Sequence, residues 1–105
     1  MTMPDTPSHR IEPVWLVEAT YAPDAAETRV PFREAHLARA AELKRAGVVV
    51  QVGAFSDVSA SILVVRARSE AEALEVCRTD VYMHNGVWVE LRAKAFGRLT
   101  LDDEA

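Results

Sequence analysis

Apolar and polar positions fall along this chain in blocks of strand and helix length. Residues 14 to 21, Val-Trp-Leu-Val-Glu-Ala-Thr-Tyr, are β-branched and aromatic and predict a first strand. A Pro-Asp turn signal occupies 22 to 26. From residue 28 to 46 the period becomes helical: at about 100° per residue, Phe32, His36, Ala40 and Leu43 share one stripe. Arg33 and Arg39 flank that stripe, and Glu34 and Arg45 fall on the opposite side. Thr28 is the expected cap, Pro31 is tolerated in the first turn, and Gly47 stands where the helix should stop. His36 occupies a place where an apolar residue is expected.

Val48 to Val52 is almost continuously apolar and predicts the second strand. Residues 53 to 59 form a short connection, and Ala60 to Ala67 predicts the third strand. Ser69-Glu70-Ala71-Glu72 has the capping-box spacing and opens a second helix with Ala73, Leu74 and Cys77 inward. Residues 79 to 86 are a break with room for one helical turn. Val87 to Lys94 alternates, with Val87, Val89, Leu91 and Ala93 on one side and Trp88, Glu90, Arg92 and Lys94 on the other. The remainder combines an edge segment (Phe96, Leu99, Leu101) with an acidic end.

The order β-α-β-β-α-β predicts a ferredoxin-like α+β sandwich, one four-stranded antiparallel sheet with two helices on one face. Residues 1–12 are expected to be a flexible arm, 13–99 the domain and 100–105 an acidic tail. Two helices cover one face only, yet the second and third strands are apolar on both sides. A second copy of the sheet is the simplest cover, so a homodimer is expected.

At 105 residues the chain makes one domain. The formal charge of −4, with basic residues spread out, argues against nucleic acid or acidic lipid as a partner. No apolar run has membrane-spanning length, and Cys77 is the only cysteine, so a cytoplasmic location is expected. The four glycines form no phosphate loop, and neither a G-x-S-x-G elbow nor an H-E-x-x-H helix occurs.

Among residues able to carry chemistry, His36 is either a general acid or base beside a cavity or a space-filling ring bonded to backbone. Asp80 is either the carboxylate that orients the imidazole or a cap for the turn after it. The fold brings these two near each other, since both helices lie on one sheet face. His84 with His36 and Asp80 nominally gives a metal set, but a solvent-facing His84 is the simpler account and no metal is assigned. Arg33 and Arg39 either hold a substrate carboxylate or are the solvated flank of the helix. Cys77 reads as packing. Tyr82, Phe55 and Trp88 suit a core or interface, with Tyr82 and Phe55 in segments bordering the same cavity.

These residues resemble the YCII-related family of dimeric α/β-barrel proteins. Arg33-Glu34-Ala35-His36-Leu37 is similar to the family's R-x-x-H-L turn, and Asp80-Val81-Tyr82 to its D-P-F/Y. The strand from Gly47 to Gly53, the Ser69-led helix, Gly86-Val87 and Lys94-Ala95-Phe96 extend the likeness over residues 13 to 99. The resemblance implies a His–Asp catalytic pair, His36 and Asp80, in enzymes similar to dehalogenases, lyases or muconolactone isomerase. Ala54 and Val81 depart from it, each standing where a proline is usual.

Two functions follow as expectations. The first is a cofactor-independent enzyme in which His36 and Asp80 transfer a proton on a small anionic or ring-derived substrate bound by Arg33, Phe55 and Tyr82. The alternative is a non-catalytic ligand-binding or dimerisation module. An imidazole nitrogen within about 3.5 Å of the carboxylate, opening onto a pocket, favours the enzyme.

Overall fold

The computed structural model describes residues 8–101. Strand β1 (His9–Tyr21) lies in the middle of a four-stranded antiparallel sheet of order β2-β3-β1-β4, with β2 at Val49–Ala54, β3 at Ala60–Val65 and β4 at Trp88–Leu101. This is the ferredoxin-like arrangement. Alternate residues of the central strands face the helices: Val17 and Ala19 from β1, and Leu63 and Val65 from β3, are all but inaccessible. Ala73 and Cys77 of helix α3 (Glu70–Arg78) close over them, joined by Tyr82 of the single turn α4 (Val81–His84).

The first helical region is three pieces instead of one: α1 (Ala25–Thr28), a 3-10 turn (Val30–Phe32) and α2 (Arg33–Arg45). Pro31 explains the break, because it offers no N–H to the carbonyl four residues back and disfavours the α conformation at Val30. The chain tightens there instead, Phe32 N–H donating to the Arg29 carbonyl at 2.9 Å. Thr28 therefore ends α1 and does not cap α2, whose N-cap position is Phe32, with no side-chain cap. The C-terminus behaves as expected. Gly47 takes φ +78°, its N–H reaches the Lys44 carbonyl, and Val48 N–H reaches that of Leu43, which closes a Schellman motif.

Ser69 caps α3 by accepting from Glu72 N–H at 3.1 Å, while the Glu72 carboxylate turns back one residue further, to Arg68 N–H. The outer bounds set from sequence move outward. His9 to Glu12 are paired strand, and Thr100 and Leu101 belong to β4; the rest of the expected arm and tail, 1–7 and 102–105, lies outside the described residues. The expected edge segment at Phe96 to Leu101 is the continuation of β4 itself.

The regular alternation expected from Val87 to Lys94 fails at Val89. Thr20 pairs with Glu90 but Tyr21 pairs with Trp88, so Val89 is an extra residue in the strand. A bulge of this kind re-aims the flanking side chains. Trp88, which strict alternation puts on the side opposite Val87, is 1% exposed in the core as Val87 is, and Val89 is 55% exposed.

Candidate active site

His36 is the one buried residue of α2, held among aromatic rings. Its imidazole stacks on Tyr82 at 3.8 Å between centroids and 8° between planes, and Trp88 meets it edge-on at 5.2 Å. The bulge at Val89 and the short turn α4 supply these rings. Gly86 at φ +70° ends α4 with the same motif as Gly47, Val87 N–H donating to the Tyr82 carbonyl at 2.9 Å.

Asp80 stands at the N-cap of α4, 2% exposed. Its Oδ2 accepts from Tyr82 N–H at 2.9 Å and lies 2.8 Å from His36 Nδ1. Capping and orienting, alternatives in the sequence, are performed by one oxygen. The cap closes with Val81 at the first helical position, so the missing proline does not displace the carboxylate.

Arg39 takes neither role expected of it. One turn beyond His36, its guanidinium donates to Asp80 Oδ1 at 3.2 Å, to the Val76 carbonyl at 2.8 Å and to Thr79 Oγ1 at 2.8 Å. It thereby ties α2 to the end of α3 and completes the Asp80 shell. Burial alone raises the Asp80 pKa; the His36 and Tyr82 hydrogen bonds and the charges of His36 and Arg39 outweigh it, so the carboxyl sits below its ordinary range.

A cavity of about 330 Å³ opens beside the pair. His36, Arg33 and Tyr82 line it from the helical side, and Val52, Phe55, Val58 and Ser61 from the sheet and the β2–β3 hairpin. The sequence-named residues His36, Arg33, Phe55 and Tyr82 thus meet around one space, with Asp80 directly behind His36. Among the described residues His36 Nε2 has no hydrogen-bond partner, and the ring belongs to the cavity wall. The Tyr82 phenol is pushed up by burial and by Tyr21 against the opposing charges of Arg29 and Arg33, so it remains a hydrogen-bond donor at neutral pH.

Sequence reasoning missed Arg29 and Tyr21, which also line the cavity; Ser61 Oγ donates to Tyr21 Oη at 3.0 Å. Arg29 sits one turn before Arg33, a spacing that could have revealed it. His84 is exposed on the far side of α4's turn, and no cluster of His, Cys, Asp and Glu among the described residues is arranged for a metal. Cys77 is buried and its thiol is pushed up to about 12, first by desolvation and then by the Asp80 charge, which removes it as a nucleophile.

Among solved structures, the chain is similar to 5-chloro-2-hydroxyhydroquinone dehydrochlorinase from Burkholderia phenoliruptrix AC1100, solved with 2,5-dihydroxybenzoquinone. The TM-score is 0.66 at 20% identity, over 77% of this chain and 90% of that one, a likeness of fold. No curated protein matches the sequence significantly. The sequence profile of the YCII-related domain matches residues 14–97, nearly the whole sheet and both main helices, and the chain therefore belongs to the YCII-related family.

Proposed function

We propose that this chain is a cofactor-independent, small-molecule acid/base enzyme in which His36 moves a proton at the substrate and Asp80 holds the ring for that task. The observation that carries the reading is the 2.8 Å contact from His36 Nδ1 to Asp80, made by a ring whose other nitrogen is left to a cavity. A carboxylate at Nδ1 favours the tautomer with the proton on that atom, leaving a lone pair on Nε2. Nε2 then takes a proton from substrate carbon or oxygen, and Asp80 stabilises the imidazolium that forms. Arg33 neutralises negative charge building on the substrate, Tyr82 offers a hydroxyl, and Phe55 covers a flat face.

This chemistry suits isomerisation, elimination or dehalogenation of a small anionic or ring-derived compound. The similar structure bears a dehydrochlorinase name and holds a dihydroxybenzoquinone, which supports a ring of that size as the first substrate to try. We further propose a homodimer working in the cytoplasm, a compartment in which a free, buried thiol such as Cys77 stays reduced.

Turnover of chlorinated and unchlorinated hydroxyhydroquinones, followed by absorbance and chloride release, tests the assignment. His36→Gln is expected to slow a substrate so found by about 10²–10⁴-fold with the fold intact. Equal rates for wild type and variant would overturn the mechanism, and tight binding without turnover would favour the ligand-binding alternative.

A further inference from the structure

Fourteen side chains or backbone segments line the cavity, and none of them is acidic. Against that, Arg29 and Arg33 both reach it, one helical turn apart across the 3-10 turn that Pro31 imposes. Neither guanidinium has an ion pair or a hydrogen bond with any described residue, although Arg29 rests 6.0 Å over the Tyr21 ring. Arg10 and Arg45 also have no partner among the described residues but do not line this cavity, so what distinguishes Arg29 and Arg33 is convergence. Asp80, behind His36, is already held by His36, Tyr82 N–H and Arg39. Asp57, in the hairpin, accepts from the backbone and hydroxyl of Ser59, and Glu34 faces the shallow outer recess shared by the two arginines. The charges of both reach the Tyr82 hydroxyl deep in the cavity and oppose the effect of its burial. A concave site with cations and no carboxylate on its wall concentrates anions.

Size narrows the class. An apolar cavity of about 150 Å³ holds benzene, so about twice that volume suits a single ring with polar substituents. We infer that Arg29 and Arg33 form a two-point clamp for the carboxylate of a compact, single-ring organic acid, whose ring then lies between Phe55 and the His36–Tyr82 stack. The Tyr21–Ser61 hydroxyl pair stands ready for a further oxygen substituent on that ring. Arg29 is thereby a specificity-determining residue. This inference rests on reading the cavity as the substrate site.

Calorimetric titration of the full chain with 2-hydroxybenzoate and with its neutral isostere 2-hydroxybenzamide tests the clamp without requiring turnover. The acid is expected to bind at least about 10-fold more tightly than the amide, because a guanidinium bonds a carboxylate more strongly than a neutral amide. That preference should weaken with added salt. Arg29→Gln and Arg33→Gln should each remove about 10-fold of the acid's affinity and leave the amide's unchanged, with Arg29→Lys retaining part of it. Equal binding of acid and amide by wild type, or an acid Kd weaker than about 10 mM, overturns the inference. His36→Gln separates the two readings. Anion preference kept in that variant with catalysis also kept sinks the acid/base mechanism alone, whereas loss of preference in the arginine variants alone supports the clamp.

Discussion

Asp80 shows how one side chain can answer several demands at once. Its two oxygens receive His36, the backbone of Tyr82 and Arg39, and those partners come from two elements, α2 and α4. The local sequence displayed only the cap, because a cap needs nothing beyond the next two residues. The His36 contact was legible through the helical stripe and the shared sheet face. Arg39 was not, since its partners, Val76, Thr79 and Asp80, lie about forty residues away and only helix packing brings them near. Folding holds the Asp80 pKa below its ordinary value. Its charge therefore contributes stability that is complete above the unfolded value of about 3.9 and is lost as pH falls through the lower folded value. Asp80→Asn is expected to lower unfolding free energy at pH 7 by about 2–3 kcal/mol, because His36 and Arg39 lose their anionic partner. The gap between wild type and variant should shrink below about pH 4, as measured by urea unfolding at a series of pH values. A gap independent of pH would show that the carboxylate is not ionised in the folded chain.

At the scale of the element, types and order were more legible in the pattern than ends. Each strand and both main helices stand where their periodicity puts them, but Pro31 divides the first helical region and a bulge interrupts β4. Both are local departures with consequences at the site: the first leaves Arg29 and Arg33 facing one cavity, and the second turns Trp88 under His36. A bulge has no composition of its own, so the pattern from Val87 to Lys94 looked regular; pairing with Tyr21 decided the matter. Gly86 is the hinge between α4 and this strand, and its φ of +70° is one that L side chains resist. Although a Cβ there would meet nothing within 4 Å, Gly86→Ala is expected to cost about 1–2 kcal/mol through the left-handed backbone alone. Gly53, in β2, has equally open space and an ordinary φ, so Gly53→Ala is the control and should be near neutral. Equal destabilisation of the two in chemical denaturation would mean that backbone conformation at Gly86 is not what limits it.

Two stretches of apolar surface among the described residues belong together. On the sheet face away from the helices, Leu16, Ile62 and Val64 alternate with the core-facing residues and are only half-buried. Beyond Trp15, where β3 ends, β1 and β4 continue as a two-stranded ribbon, and from Pro13 opposite Gly97 to Ile11 opposite Leu99 no third strand lies beside it among the described residues. A lone two-stranded ribbon is marginal in water, and this one carries Ile11 and Leu99 at 62% and 61% exposure. A second copy meeting the first about a two-fold axis would cover the open face and give each ribbon a surface to lie on. That is the physical content of the dimer proposed above. A stable interface buries about 1,200–2,000 Å² in total. Sedimentation at about 10 μM should therefore give a mass twice that of the chain. Ile11→Lys combined with Leu99→Lys should shift the mass toward the monomer without loss of secondary structure, because neither side chain is part of the core of a single copy. A wild-type monomer at that concentration would leave the ribbon's exposed apolar residues needing some other cover.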